Sequence, residues 1–537
     1  MAGDLTLFKS AAFLGSLLLF LLELLAAKAL LPLFGGGAGV WTTALMFFQG
    51  LLFVGYAYGL RAAESPRLHL LAAAAALAWS WAQPAAAPAG TPFVRLLLAL
   101  LAKTGPPFLV LAATTPVIQE WLRLRGCSDP AFLFSYSNAG AFAALFAYPI
   151  LVEPNIPLEW QARLLAAGFG AYAVLLAACA PGTAKREEPR SRAEPAGRGD
   201  VILWLPLSLG PNAALLCAAN LLGMDLAAVP LVWVLPLAVY LATLVLAFRS
   251  RPWFPDRPAG LLIGGGLVIL VGTAFGLEAL RHGPEPWFAQ RHFLLVSKSV
   301  LILAGLFAVC LACHGSLAES RPEAARLPRF YLWVALGGWL GGLLVSVIVP
   351  ALGRDVASPN VEALVALAFC AAGLWRRERS ASGLRRWRWA AVLAGLACCG
   401  AYAAGPSAAL LFRMRDFYGF YRVTSARGWR ILFHGRTIHG VQSLDPAGAR
   451  QPVAYYHPHS PIGEVFSEFG PRAARVAVVG LGAGACAAFG RRGQEFDFYE
   501  LDPALEAVAR KFFTYLDESP ARVSVIPGDA RLSLAEG

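Results

Sequence analysis

The chain has 537 residues, of which 58% are hydrophobic and only 15% are charged, and its mean hydropathy is +0.58. A soluble globular chain carries about 25% charged residues, so this composition excludes a purely soluble protein. It indicates an integral membrane protein with a soluble appendage. The formal net charge is +12, but the arginines fall in short loops between apolar segments. We therefore assign the charge to loop orientation and expect no nucleic-acid partner.

Apolar segments that could cross a bilayer follow one another up to residue 411. A span needs about 20 mostly apolar residues, and thirteen segments meet or approach this length. They lie near residues 10–33, 39–60, 68–87, 93–115, 131–152, 158–180, 201–222, 227–248, 259–281, 292–313, 329–350, 360–375 and 388–411. Because 360–375 is short, the sequence predicts an α-helical polytopic membrane domain with 12–13 transmembrane helices and the lipid bilayer as a partner.

A charged linker divides these spans into two groups. Residues 181–200 contain Lys185-Arg186-Glu187-Glu188 and are typical of a solvated connection. The sequence thus predicts a first membrane half over 1–180, with about six helices, and a second half over 201–411, with six to seven. This arrangement is similar to that of the major-facilitator transporters.

Loop charge predicts the orientation of the spans. Basic loops follow every second span, with Arg61, Arg123, Arg249 and Arg376 as examples, so these loops and the N-terminus are expected in the cytoplasm. If 388–411 crosses, the rest of the chain lies outside; if one weak span does not cross, it lies in the cytoplasm. We favour the cytoplasm for this C-terminal part, since the ligand expected below is cytosolic. The membrane is expected to be a bacterial inner (plasma) membrane.

Two charged residues, Glu23 and Lys28, lie within the first span. Ionisable side chains are costly there and are often functional. The two residues are five positions apart, so they do not share quite the same helix face. Two interpretations stay open: they pair across helices or reach the interface, or Glu23 and a lysine line a polar path.

After residue 411 the composition changes to short alternating runs. Tyr421–Thr424 and Trp429–Phe433 predict strands, and His434-Gly435 predicts a turn. We therefore expect a small β subdomain over 412–470, antiparallel up to about residue 443, with a short helix near 462–469. His457 and His459 lack a cysteine or a third ligand nearby, so no metal site is predicted.

Three apolar runs between residues 471 and 537 each end at a glycine or an acid. Helical patterns separate the runs, which is typical of a parallel βαβαβ unit. A glycine-rich turn followed by a carboxylate about 20 residues later suits a nucleotide-like ligand, whose ribose hydroxyls the carboxylate binds. The candidate cofactor-binding residues are Gly480, Gly482 and Gly484 after the first run, Glu500 and Asp502 after the second, and Asp529 and Ala530 after the third.

The order of these motifs resembles the polyamine aminopropyltransferases, the spermidine synthases. The motifs are Gly440-Val441-Gln442, Tyr456-His457, Gly480–Gly484, Glu500-Leu501-Asp502 and Gly528-Asp529-Ala530. Segments such as Lys28–Gly35 and Pro230–Leu237 resemble the fused transporter/spermidine-synthase proteins. The resemblance implies a partial α/β Rossmann-like domain of the S-adenosylmethionine type over 471–537. Its ligand would be S-adenosylmethionine, its decarboxylated form or methylthioadenosine, with a polyamine as a further candidate partner.

The resemblance also implies residue roles. Glu500 would bind the ribose hydroxyls, Asp529 and Ala530 would contact adenine, and the Gly480–Gly484 turn would approach the sugar and the sulfonium. The substrate side would be lined by Gln442, Tyr456 and His457. Two departures matter. Ala483 occupies the place of the aspartate that meets the aminopropyl amine, and the family's catalytic aspartate would lie beyond Gly537. The domain is thus expected to be truncated or degenerate, and no catalytic base is named.

Several functions follow as alternatives. The first is a membrane-embedded enzyme that releases methylthioadenosine, either by aminopropyl transfer or by cleavage of S-adenosylmethionine, through positioning and electrostatics. The second is a transporter whose soluble domain senses a nucleoside or a polyamine. The others are an S-adenosylmethionine-dependent methyltransferase and a membrane scaffold with an inactive domain. The sequence favours the first and leaves the oligomeric state open.

Overall fold

The computed structural model describes residues 2–35, 37–81, 90–127, 130–181, 198–223, 230–249, 260–269, 288–323, 326–352, 359–378, 410–435 and 437–536. The chain divides into two compact units, a membrane unit, Met1–Ala404, and a C-terminal unit, Gly405–Gly537. The predicted linker 181–200 and the predicted span 388–411 lie almost wholly outside the described residues.

The membrane unit is a bundle of helices in two halves. The first half contains α1 (Ala2–Phe34), α2 (Ala38–Ala62), α3 (Pro66–Trp81), α4 (Pro92–Ala112), α5 (Thr114–Leu124), α6 (Leu133–Ala147), α7 (Glu153–Asn155) and α8 (Leu158–Cys179). The second half contains α9 (Arg198–Gly223), α10 (Pro230–Phe248), α11 (Gly260–Ile269), α12 (Phe288–Glu319), α13 (Leu327–Leu343), α14 (Val349–Ala351) and α15 (Pro359–Glu378).

These helices account for the first twelve predicted spans. Each of those spans coincides with or overlaps one helix, or one of the consecutive pairs α4–α5, α6–α7 and α13–α14. Among the described residues, seven helical stretches are long and apolar enough to cross a bilayer. The polytopic α-helical membrane domain is thereby confirmed, while the count of 12–13 crossings stays a prediction.

The two halves repeat one pattern of helix packing. In the first half α1 packs against α4, α6 and α8, and α2 packs against α4. In the second half α9 packs against α12, α13 and α15, and α10 packs against α12. When α4–α5, α6–α7 and α13–α14 are each counted as one segment, the described helices form six segments in each half. In both halves the first segment packs against the fourth, fifth and sixth, and the second packs against the fourth. The membrane unit is therefore built from two copies of one helical plan.

The fifth segment of each half also ends in the same irregularity. Helix α6 continues into a π-helix, Tyr148–Val152, before α7, and α13 continues into a π-helix, Leu344–Ile348, before α14. A proline lies in or just after each π-helix, Pro149 and Pro350, and removes a backbone N–H donor. Single π-turns within helices are rare and occur frequently at functional sites.

The most extensive contacts between the halves involve two helix pairs that the repeat relates, α2 with α13 and α6 with α10. Gln49 of α2 and Asn212 of α9 exchange two amide hydrogen bonds, at 2.8 and 3.0 Å, and Asn212 also donates to the Gly338 carbonyl at 2.7 Å. A side-chain carbon added at Gly342 would lie 2.5 Å from the Gln49 Oε1 atom. A side chain at this position would displace the Gln49 amide, so the glycine leaves room for the Gln49–Asn212 pair.

The C-terminal unit begins with the predicted antiparallel sheet. Its strands are β1 (Leu410–Arg415), β2 (Phe420–Ala426), β3 (Trp429–His434) and β4 (Thr437–Ser443), paired in the order β1-β2-β3-β4. Gly428 turns the chain between β2 and β3 with φ +81°, a conformation that favours glycine. Helix α16, Pro461–Glu468, follows close to its predicted position.

A three-stranded parallel sheet completes the unit. Strands β5 (Arg475–Val479), β6 (Glu495–Glu500) and β7 (Arg522–Pro527) pair in the order β5-β6-β7. Helix α17 (Pro503–Phe512) joins β6 to β7, and α18 (Ala530–Glu536) follows β7. The helical connection expected between β5 and β6 is only a five-residue 3₁₀ helix, Ala485–Phe489, because glycines 484 and 490 bound it. The core includes Phe496 and Phe498, both fully buried.

Candidate functional site

The carboxyl ends of the three parallel strands meet at one edge of the sheet. The Gly480 N–H donates to the Tyr499 carbonyl at 2.8 Å, and the Gly528 N–H donates to the Glu500 carbonyl at 2.8 Å. These bonds bring the Gly480–Gly484 turn, Glu500 and the start of α18 side by side. Open α/β sheets bind ligands at this edge.

The three glycines of the turn have different tasks. All have positive φ angles, +91° at Gly480, +55° at Gly482 and +77° at Gly484. A side-chain carbon would lie 2.6 Å from the His439 carbonyl at Gly482, and 2.6 Å from the Leu516 side chain at Gly484. At Gly480 nothing among the described residues lies within 4 Å. Packing therefore requires the second and third glycines, and the first leaves space that a ligand can approach.

Backbone N–H groups hold two carboxylates, Glu500 at the end of β6 and Asp502 just after it. The Glu500 Oε2 atom accepts from the Leu481 N–H at 2.8 Å, and its Oε1 atom accepts from the Asp502 N–H at 3.0 Å. Asp502 caps α17, because its Oδ1 atom accepts from the Ala504 N–H at 2.9 Å. Each carboxylate oxygen has a second lone pair, so Glu500 can still accept hydroxyl hydrogen bonds.

Asp529 and Ala530 lie at the neighbouring strand end. The Asp529 Oδ1 atom accepts from the Arg531 N–H at 2.9 Å, and Ala530 is the first residue of α18. Both side chains are half-buried. Because Glu500 is paired with Pro527 across β6 and β7, the predicted ribose and adenine residues occupy adjacent strand ends.

The three predicted substrate-side residues are placed differently from one another. Gln442 is buried, and its amide donates to the Ala449 carbonyl and to Thr514 Oγ1 and accepts from the Thr514 N–H. Its amide therefore connects β4 to the segment after α17. Tyr456 is half-buried, and burial raises the pKa of its hydroxyl. His457 is exposed, and its Nδ1 atom accepts from the His459 N–H at 3.2 Å. Their contact with a substrate stays a prediction.

One acidic pair at this edge was missed by sequence reasoning. The Asp416 Oδ1 atom, in the β1–β2 turn, accepts from the N–H groups of Tyr418 and Gly419 at 2.9 and 3.0 Å. The Oδ2 atoms of Asp416 and Asp502 are both buried, and neither has a well-formed hydrogen-bond donor among the described residues. Burial first, and then the charge and contact of Asp502, raise the pKa of Asp416 to about 7. Two facing carboxyls are stable when one proton lies between them.

Tyr421 and His434 surround this pair. Their rings stack with centroids 4.4 Å apart. Burial, followed by the charges of Asp502 and Asp416, raises the pKa of the Tyr421 hydroxyl, whereas burial and the neighbouring His439 lower the pKa of His434. At neutral pH both rings are therefore uncharged. The cluster holds the β1–β2 turn beside the end of the strand that carries Glu500. In the sequence, the turn-forming segment Asp416–Gly419 is the one signal of this acidic pair.

The stability of the C-terminal unit should rise as the pH falls from about 8 to about 5. The native pKa of Asp416, about 7, exceeds the usual 3.8, so the folded chain holds a proton that the unfolded chain releases between these values. Folding is therefore favoured at the lower pH, by on the order of 2 kcal/mol. We expect Asp416→Asn to remove this part of the pH dependence of thermal unfolding. Asp445→Asn, in an exposed turn of the same kind, is the control, and identical profiles for both variants would contradict the assignment.

Glu23 and Lys28, the two charged residues of the first predicted span, have separate environments. The Lys28 Nζ atom lies 2.8 Å from Glu153 Oε1 and joins α1 to α7. This contact corresponds to the first interpretation, pairing across helices. Among the described residues no hydrogen bond or ion pair involves Glu23, which instead lines a cavity.

The Glu23 cavity lies between the two halves of the membrane unit. Its volume is about 20 Å³, close to that of one water molecule. Helices α1 and α2 form its wall on the first half, and α10 forms its wall on the second half. Trp41 of α2 and Trp233 of α10 stack across it with ring centroids 6.2 Å apart and planes 20° apart. Glu23 is the only charged residue among the described residues that line the cavity.

No family model and no curated protein matches the chain. Among solved structures, the chain is similar to the nucleoside transporter NupG, with 15% identity and a TM-score of 0.43 over 73% of this chain and 99% of that one. It is similar to the peptide transporter POT, with 13% identity and a TM-score of 0.43 over 74% of this chain and 95% of that one. It is also similar to the xylose transporter XylE from E. coli, with 14% identity and a TM-score of 0.40 over 69% of this chain and 95% of that one. These similarities are too distant to assign a function.

Proposed function

We propose that the membrane unit is a solute transporter of the major-facilitator type and that its solute-binding site is the Glu23 cavity. The observation that carries this proposal is the position of the cavity between two halves that repeat one packing plan. In two-halved transporters the solute binds near the bilayer midplane between the repeats, and one half rocks against the other to give alternating access. An ionisable side chain inside a membrane bundle marks a solute or ion path.

The contacts between the halves suit such a motion. The two hydrogen bonds that Gln49 and Asn212 exchange across the halves join small polar groups, and each is worth about 1 kcal/mol within a membrane. The stacked Trp41 and Trp233 rings belong to different halves. A rocking motion would therefore separate the rings and open the cavity.

Thiol labelling of the cavity wall tests this proposal. Ala44 is buried and lines the cavity, so we expect Ala44→Cys to react with a membrane-impermeant reagent in both inside-out and right-side-out vesicles. Ala219→Cys is the control and should stay unreactive, because Ala219 is buried in the second half and does not line the cavity. Labelling of the Ala44 variant from one side alone would contradict alternating access.

A second proposal concerns the C-terminal unit. The open space at Gly480 beside the fixed Glu500 carboxylate favours a ligand-binding role. In line with the resemblance described above, we propose a Rossmann-like domain that binds an adenosyl ligand in the cytoplasm. Glu500 would accept the ribose hydroxyls, with adenine beside Asp529 and Ala530. Because no acid occupies position 483, we propose that the bound ligand regulates transport.

Calorimetry on the full-length protein tests this second proposal. Replacing a charged acceptor of hydroxyl hydrogen bonds costs about 1.5–3 kcal/mol. We therefore expect Glu500→Gln to weaken the binding of S-adenosylmethionine or methylthioadenosine by at least about tenfold. Glu495→Gln, at the opposite end of β6, is the matched control. Equal affinities for the two variants, or no binding by the unmodified protein, would contradict the proposal.

A further inference from the structure

We infer that the Glu23 cavity binds a protonated amine that also carries a hydroxyl or carbonyl oxygen. This inference rests on the proposed function, because it names the class of solute that the same cavity accepts. It depends on the charge, the aromatic walls and the unpaired donors of the cavity.

Charge points to a cation. The Glu23 carboxylate has no hydrogen-bond or ion-pair partner among the described residues, and Lys28, the nearest basic residue along α1, is bound to Glu153 at 2.8 Å. A carboxylate in low-polarity surroundings is stable only when a cation or a proton neutralises it. A protonated amine supplies this neutralisation by itself, whereas an anionic solute would bind only beside a protonated Glu23.

The aromatic walls favour an organic cation. Trp41, Trp233 and Phe48 line the cavity together with aliphatic side chains. Indole faces attract ammonium groups, and this attraction is strongest where water is excluded. A metal ion would need several oxygen ligands, whereas Glu23 is the only carboxylate among the lining residues described. The walls therefore suit an alkylammonium group better than a hydrated metal ion.

Two donors of the lining side chains remain unsatisfied. The indole N–H groups of Trp41 and Trp233 are buried, and neither has an acceptor among the described residues. Each tryptophan side chain is 4% exposed. A buried donor without an acceptor costs about 1–3 kcal/mol. A hydroxyl or carbonyl oxygen on the amine would satisfy one of these donors while the ammonium group meets Glu23.

The same features disfavour a neutral sugar. Polyhydroxylated solutes need several convergent polar side chains to replace their hydration, and the lining offers one carboxylate and two indole N–H groups. The cavity as it stands, with a volume of about 20 Å³, has room for about one water-sized group. Binding therefore requires that the two halves move apart, which changes the separation of the Trp41 and Trp233 rings.

Calorimetry on the full-length protein in lipid nanodiscs tests the inference with small probes. Ethanolamine carries the ammonium and hydroxyl groups, ethylene glycol lacks the charge, and glycolate carries the opposite charge. We expect ethanolamine to bind in a 1:1 ratio and the other two not to bind. Glu23→Gln should weaken ethanolamine binding by at least about tenfold, whereas Glu159→Gln, exposed and paired with Arg163, should leave it unchanged.

A second variant separates a specific site from a folding defect. Trp233→Phe keeps an aromatic face and removes the N–H group, so it should weaken ethanolamine binding more than methylamine binding. Absence of ethanolamine binding, equal binding to Glu23→Gln, or equal binding of ethylene glycol would overturn the inference. If ethanolamine binds through Glu23 and no solute crosses the membrane, the transport proposal fails and this inference stands. If another solute is transported and no amine binds, the inference fails and the transport proposal stands.

Discussion

Introducing aspartate at Ala483 should unfold the C-terminal unit rather than restore the aspartate that spermidine synthases carry in this loop. Ala483 is 1% exposed, and its methyl group lies against Gly440 so closely that a side-chain carbon on Gly440 would overlap it. A carboxylate there would be buried without a cation and would force apart the turn and β4. We expect a loss of about 4 kcal/mol from overpacking and charge burial together.

Thermal unfolding of the full-length variants measures this effect. Ala474→Asp, at an exposed position just before β5, adds the same charge and should leave the transition unchanged. The prediction is contradicted if Ala483→Asp unfolds at the same temperature as the unmodified protein and binds an amine-bearing adenosyl ligand more tightly. The loop would then be open to substrate and not closed by its contact with Gly440.

Enlarging Gly140 should prevent the first half of the membrane unit from assembling. Gly140 of α6 packs against the backbone of α1, where an added side-chain carbon would overlap the Phe13 carbonyl. Backbone cannot move aside as a flexible side chain can, so we expect Gly140→Val to cost more than about 3 kcal/mol. Helix α1 carries Glu23, and its displacement would also distort the cavity.

Gly170 of α8 provides a matched control for this substitution. It is also a helical glycine, and nothing among the described residues lies within 4 Å of its added carbon. Gly170→Val should therefore give a monodisperse protein in detergent with an unchanged melting temperature, while Gly140→Val should aggregate or melt much earlier. Equal melting temperatures would show that the α1–α6 crossing tolerates bulk.

Local patterns predicted much of the fold. Long apolar stretches located the helices of both halves, because length and hydropathy are properties of a single segment. Alternation predicted the strands β2 and β3, and the glycine turn with Glu500 predicted the strand ends that the structure brings to one edge. The connection before β6 is a short 3₁₀ helix and not the expected α-helix. Only the five residues Ala485–Phe489 lie between Gly484 and Gly490, and glycine disfavours helix.

Contacts between distant residues were not predictable in this way. Gln49 and Asn212 are 163 positions apart, and Lys28 and Glu153 are 125 apart. The Trp41–Trp233 stack and the Asp416–Asp502 pair likewise depend on how helices and strands pack. Glu23 was recognised as unusual from sequence, because a charge in an apolar span is visible locally. Its position between the halves required the structure.

Solute flux into proteoliposomes measures whether the membrane unit transports a solute through the Glu23 cavity. With the full-length protein, radiolabelled ethanolamine and a panel of uncharged solutes would be followed for the unmodified chain, for Glu23→Gln and for Glu159→Gln. We expect saturable uptake of at least one solute, unchanged uptake by Glu159→Gln, and a loss of at least about tenfold in Glu23→Gln. Uptake by Glu23→Gln equal to that of the unmodified chain, or no saturable uptake of any solute, would contradict it.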